Sequence, residues 1–221
     1  MPDLFERLKA SCPEDWEAYT RHPFVLGMAD GTLPEPAFRY YLEQDYLFLI
    51  QFARAYALAG YKARTLEDLK RAKDGIAAIM DVELNLHVDF CRKWGIDPAS
   101  LEDLPEDPAN MAYTRYVLER GMAGNLLDLH VALLPCMLGY GEIGPALDEA
   151  AKAGGGETPY AGWIAMYSGP DYQAACADER RYIDRLAGDG LPDARFDELA
   201  QTFRDATRLE IKFWQMGLDA V

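Results

Sequence analysis

The sequence predicts an all-α fold, a single-domain helical bundle, on three observations. Apolar residues recur at helical spacing over nearly the whole length, and no run alternates with a period of two. Proline, glycine and capping residues punctuate the chain, but no linker is long enough to divide its 221 residues. Half of the residues are hydrophobic, enough for a sizeable core, so residues 1–221 read as one domain.

The elements follow in order. Pro34-Glu35-Pro36 opens a long helix to about Lys62, because proline is tolerated in a first turn. Its apolar positions include Phe38, Tyr41, Leu42, Leu49, Phe52, Tyr56 and Ala59. Thr65 is an N-cap with acid behind it at Glu67 and Asp68, and that helix runs to Trp94 and stops at Gly95. Asp107-Pro108 starts a third helix, through Tyr113 and Tyr116 to Glu119. A fourth runs from Asn125 to about Lys152, and Gly154-Gly155-Gly156 ends it. Within it Pro135 removes an N–H just before Cys136, so the helix should bend at the thiol. Thr158-Pro159 starts a short helix holding Trp163 and Tyr167, which Ser168-Gly169-Pro170 breaks. Another helix then reaches Leu186, and Pro192-Asp193 opens the last, to about Leu218.

Charge and cysteine usage exclude several classes. Acidic residues number 37 against 22 basic ones, a net charge of −15, whereas nucleic-acid binding needs a basic face. No stretch of about 18 uninterrupted apolar residues reads as a membrane span. The start, Met1-Pro2-Asp3-Leu4, has no basic region followed by an apolar one, so no signal peptide is expected. Cys12, Cys91, Cys136 and Cys176 form no CxxC pair and are expected as reduced thiols in the cytoplasm.

Several patterns carry potential chemistry. Gly139, Gly141 and Gly144 match GxGxxG, but a helix precedes them where a dinucleotide site needs a strand, so they read as glycines that permit close helix packing or another kink. The histidines are His22, His87 and His130, and only Glu83 and His87 share a helical face with an acid at i, i+4. Helical di-iron sites need i, i+3 spacing in two copies, so no metal site is expected; Glu83 and His87 read as a hydrogen-bonded pair or a structural histidine. Asp45 shares a face with Tyr41 and Phe48, and Glu210 with Phe213. A buried acid costs several kcal/mol unless paired or protonated, so each is either a functional group or an edge residue, Glu210 then pairing with Arg208 or Lys212.

Taken together, these residues resemble the TenA family, the thiaminase II proteins. The landmarks run in order along almost the whole chain: His22-Pro23-Phe24, Gln44-Asp45-Tyr46-Leu47-Phe48-Leu49, Ala112-Tyr113-Thr114, and Leu134-Pro135-Cys136 with Gly139-Tyr140. Tyr160-x-x-Trp163-Ile164-x-x-Tyr167 and Leu209-Glu210-x-x-Phe213-Trp214 complete them. Cys136 places the chain with the branch that carries this cysteine. The resemblance implies a haem-oxygenase-like helical bundle, and an enzyme that replaces the leaving group on the 5-methylene of 4-amino-2-methylpyrimidines by water. It implies Cys136 as nucleophile, Glu210 as the acid on a pyrimidine nitrogen, and Asp45 as the carboxylate at the amino-pyrimidine edge, where it could position the amino group or act as the base for the thiol. Tyr113 would pack on the ring, Tyr140 and Tyr160 would line the site or hydrogen-bond the catalytic groups, and Phe213 would belong to the substrate-binding set. Phe48 stands where some members have tyrosine, which leaves ring packing but no hydroxyl.

The resemblance also implies a homotetramer and a small-molecule aminopyrimidine as the partner. Thiol, carboxylates and water suffice for the chemistry, so no cofactor is expected. Two other classes stay open: an oxidase on the same scaffold, cofactor-free or metal-dependent, and a non-catalytic pyrimidine-binding regulatory protein.

Overall fold

A computed structural model describes residues 3–155, 158–188 and 190–221, and among these every regular element is helical. The chain forms two compact units: Met1–Leu33 with His130–Gln215, and Pro34–Leu129 with Met216–Val221.

The first unit opens with three short helices, α1 (Leu4–Ala10), α2 (Pro13–Thr20) and α3 (Pro23–Asp30). His22 caps α3, its Nδ1 accepting from the Phe24 amide at 3.3 Å, with Pro23 in the first turn. The His22-Pro23-Phe24 landmark is thus a helix start. Gly31 ends α3 in the left-handed region (φ 74°), which favours glycine.

The second unit is built on α4 (Glu35–Lys62), followed by α5 (Leu66–Ala77), a π-helical turn (Ala78–Glu83) and α6 (Leu84–Lys93). The Thr65 hydroxyl caps α5, accepting from the Asp68 amide at 3.1 Å. The helix expected from Thr65 to Trp94 is therefore continuous, but widened by one π turn. A 3₁₀ segment (Pro98–Asp103) leads to α7 (Pro108–Ala123), capped by Asp107, which accepts from the Ala109 amide. The buried Gln44 and Asn110 tie α4 to α7: the Asn110 amide donates to the Gln44 carbonyl at 2.8 Å.

The long helix expected from Asn125 appears as α8 (Leu126–Leu134), a π turn (Pro135–Gly139) and α9 (Tyr140–Ala153). By length and composition, Leu126–Ala153 is the one run among the described residues able to cross a membrane; 72% of its apolar window is buried inside the protein, as in a core helix. The remaining helices are α10 (Ala161–Ser168), α11 (Pro170–Ala187) and α12 (Asp193–Asp219). Gly156, part of the expected stop after α9, lies outside the described residues, as do Met1 and Pro2.

Candidate active site

Cys136 sits inside the π turn Pro135–Gly139, half-buried, while Cys12, Cys91 and Cys176 are buried. Burial pushes the Cys91 and Cys176 thiols up to about 12, so neither is poised as a nucleophile. Where a bend was expected from Pro135, the helix carries this π turn, a feature frequent at functional sites. Widening a helix leaves carbonyls without their usual partners, and side chains of the first unit supply donors. Tyr19 donates its hydroxyl to the Pro135 carbonyl at 3.0 Å, and Tyr172 donates to the Met137 carbonyl at 3.0 Å. Pro145 lies inside α9 and brings no N–H to the Gly141 carbonyl four residues back; Gln173 Nε2 donates to that carbonyl at 3.0 Å.

The three glycines of the GxGxxG pattern make these approaches possible. A Cβ at Gly139 would meet the Tyr19 ring at 2.3 Å, one at Gly141 the Cys176 Sγ at 2.6 Å, and one at Gly144 the backbone of Tyr167 at 2.6 Å. They are packing glycines, one of the two readings that their position after a helix left open. Tyr19, Tyr172 and Gln173 were not legible as supports. Pro145 signalled that a carbonyl would be released, but nothing in the chain said which side chain would reach it.

Four more of the expected site residues belong to the first unit. Glu210 is 1% exposed on α12. Its expected edge partners are elsewhere, because Arg208 is exposed and bonds Asp15 at 3.0 Å, and Lys212 is exposed. Phe213 is buried three residues on. Tyr140 is buried and packs edge-on to Tyr167 (4.8 Å between centroids), with Trp214 at 5.3 Å. Tyr160 precedes α10 and donates its hydroxyl to the Leu33 carbonyl.

The second unit holds Asp45, Phe48 and Tyr113. Phe48 and Tyr113 are buried and face each other with centroids 5.3 Å apart, an aromatic wall of the kind a flat ring packs against. Asp45 is buried, and Tyr41, one turn earlier, directs its hydroxyl at Asp45 Oδ2 from 3.4 Å. Burial holds the Asp45 carboxyl well above the usual carboxylate range, and the Glu83 charge adds to this; the Tyr41 hydroxyl opposes it. Glu83 ends the π turn after α5, and desolvation pushes its carboxyl up to about 7. Of the two readings of His87 from the sequence, partner of Glu83 or structural histidine, the structure shows the second: it is buried and bonds the Leu42 carbonyl through Nε2 at 2.6 Å. Its Nδ1 lies 3.4 Å from Asp45 Oδ2. Burial lowers the imidazole to about 4, with the Leu42 bond acting against the shift. Among the described residues, no three His, Cys, Asp or Glu side chains gather as a set of metal ligands.

Comparison with known proteins adds the lineage. The TENA/THI-4/PQQC family description matches residues 10–220. An aminopyrimidine aminohydrolase from Halalkalibacterium halodurans is 35% identical over 203 residues, covering 91% of this chain and 89% of its own. Among solved structures, a TenA family transcription regulator from Silicibacter sp. TM1040 has a TM-score of 0.91 at 44% identity, covering 97% of this chain and 96% of that one. A domain with a heme oxygenase-like fold from Shewanella denitrificans, 14% identical, has a TM-score of 0.77 over 99% of this chain and 93% of its own, which is a likeness of fold. The all-α, haem-oxygenase-like architecture expected from the sequence is the one found. With its match over residues 10–220 and a relative at 35% identity, the chain belongs to the TENA/THI-4/PQQC family.

Proposed function

We propose that the protein is an aminopyrimidine hydrolase of thiamine salvage. It would replace the leaving group on the 5-methylene of a 4-amino-2-methylpyrimidine by water and release 4-amino-5-hydroxymethyl-2-methylpyrimidine. The observation that carries the reading is Cys136: the half-buried thiol among four cysteines, held in a π turn whose carbonyls are bonded by Tyr19 and Tyr172. The name of the Halalkalibacterium halodurans relative supports the substrate class.

The chemistry follows from the ring. Direct displacement at the methylene is slow. Glu210 protonates a ring nitrogen, and the Cys136 thiolate adds to the adjacent carbon. Aromaticity is lost, and the leaving group departs from the methylene. Water then adds at the methylene, the thiolate leaves, and the aromatic ring returns. The resemblance assigns Asp45 to the amino edge or to the base for the thiol, Tyr113 to ring packing, and Tyr140 and Tyr160 to lining the site or bonding its catalytic groups. With an aminomethyl substrate the leaving group is ammonia; with thiamine it is the thiazole. Incubation with 4-amino-5-aminomethyl-2-methylpyrimidine should release ammonia, and its absence would refute the reading. Alkylation should abolish turnover while chelation leaves it intact; loss to EDTA with recovery on added iron or manganese would instead favour an oxidase.

We also propose that the active form is a homotetramer. Leu66, Leu69, Met80, Val82 and Leu86 of the α5–α6 stretch are exposed, and large exposed apolar side chains grouped on one segment mark association surfaces. Closed homo-oligomers are common among soluble proteins.

A further inference from the structure

His87 has no part in the chemistry above, yet its two nitrogens are both committed. A carbonyl oxygen can only accept, so the nitrogen 2.6 Å from the Leu42 oxygen, Nε2, carries a proton. In a neutral imidazole the other nitrogen, Nδ1, then bears a lone pair. That lone pair faces Asp45 Oδ2 at 3.4 Å. A carboxylate oxygen would set acceptor against acceptor in a buried place, where unpaired polar groups are costly. One proton between them removes the conflict, either as a carboxylic acid donating to Nδ1 or as an imidazolium facing a carboxylate. Tyr41 and His87 both address Oδ2, and neither engages the second oxygen, Oδ1.

We propose that His87 is a positioning residue that shares a single proton with Asp45, storing it on Nδ1 when Oδ1 of Asp45 receives the amino edge of a pyrimidine. The proposal rests on the aminopyrimidine reading above. In the free enzyme the proton sits on Asp45 Oδ2, in keeping with the raised carboxyl and the lowered imidazole. An aminopyrimidine protonated on its ring carries positive charge into its amino group, which a carboxylate binds more strongly than a carboxylic acid does. On binding, the Oδ2–H bond breaks and the Nδ1–H bond forms. Acid and neutral imidazole become carboxylate and imidazolium, and the net charge of the pair is unchanged. The enzyme thus gains a carboxylate at the substrate without losing a proton to solvent, and the Leu42 carbonyl fixes the tautomer that makes this possible.

Other groups of the second unit face the pair and enter its titration: Tyr41 and Tyr46 from α4, Glu83 from the π turn, and Cys91 from α6, on which the Glu43 charge also acts. Glu83 is the one that titrates near neutrality. The test therefore compares pH profiles of kcat/KM for wild type and His87→Gln, each with and without Glu83→Gln. Glutamine can still donate to the Leu42 carbonyl but cannot take up a proton. In His87→Gln, Asp45 must lose its proton to solvent. Its profile should fall at least tenfold at neutral pH, with the acidic limb moved to higher pH and partial recovery in alkali, in both Glu83 backgrounds. An unchanged profile, or an equal loss at every pH, overturns the proposal.

Imidazole ¹⁵N spectra give a readout independent of turnover. In the free protein His87 should be the Nε2–H tautomer, with an Nδ1 signal that changes in Asp45→Asn. Saturating 4-amino-5-hydroxymethyl-2-methylpyrimidine should move Nδ1 toward its protonated position. An Nδ1–H tautomer in the free protein, or an Nδ1 signal indifferent to Asp45→Asn, overturns the pair. Failure of wild type to act on any aminopyrimidine would overturn the functional reading, while the spectra of the free protein would still decide whether the shared proton exists.

Discussion

Cys136→Ser is expected to keep the fold and lower turnover by orders of magnitude, since an alcohol is a far weaker nucleophile than a thiolate at neutral pH. Circular dichroism and ammonia release measure the two halves of that statement. Native-state alkylation followed by peptide mapping should label Cys136 well before Cys12, Cys91 and Cys176, which are buried and whose thiols are pushed upward. A second cysteine labelled as fast would remove the distinction on which the nucleophile assignment leans. Glu210→Gln should cost about 10²–10⁴-fold in kcat, the usual worth of a positioned proton donor, with unfolding behaviour near wild type. What the sequence disclosed at this scale was local geometry. Tyr41 and Asp45 are one helical turn apart, so their contact was readable; the pairing of His87 with Asp45 depends on how α6 lies along α4, and helical spacing within either segment is silent on that.

The π turns set the character of the elements. Proline announced the one at Cys136, because a missing N–H forces a local rearrangement, although its form was not implied. The turn Ala78–Glu83 contains neither proline nor glycine, so the apolar pattern ran through it unmarked. Helix starts were the most legible features, since Thr65 and Asp107 cap through their own side chains. The three short helices before Pro34 were not read from the sequence at all, since helices of seven or eight residues depend on tertiary packing more than on their own turns. Gly139→Ala should destabilise the protein by about 1–3 kcal/mol, because a Cβ there meets the Tyr19 ring and must push it from the Pro135 carbonyl. A denaturation midpoint equal to wild type would show that Tyr19 yields freely. Pro145→Ala would return an N–H to the Gly141 carbonyl and make Gln173 dispensable there, so Gln173→Ala should cost less stability in the Pro145→Ala background.

For the molecule as a whole, buried titratable groups tie stability to pH. Glu83 has its folded value raised to about 7, so its contribution is fully present below about 4.3 and is lost as pH rises through about 7. Glu83→Gln should therefore raise Tm by a few degrees at pH 8 and leave it nearly unchanged at about pH 4, below the window. His87 runs the other way: lowered to about 4, it contributes stability above about 6.5 that is lost as pH falls through about 4. Leu66→Glu with Leu69→Glu should lower the mass seen by light scattering if the α5–α6 surface joins copies; a monomeric wild type at every concentration would refute the tetramer. The division into two units left no mark in the sequence, because each is assembled from separate stretches and no linker lies between them. That arrangement bears on the order in which a growing chain acquires structure. Residues 1–33 belong with residues 130–215, which are made later, whereas 34–129 form most of a unit by themselves. Translation therefore releases the middle of the protein with nearly all of its own partners before the beginning has any of its distant ones, and the amino-terminal helices must wait through almost a hundred residues of synthesis for the surface they pack on.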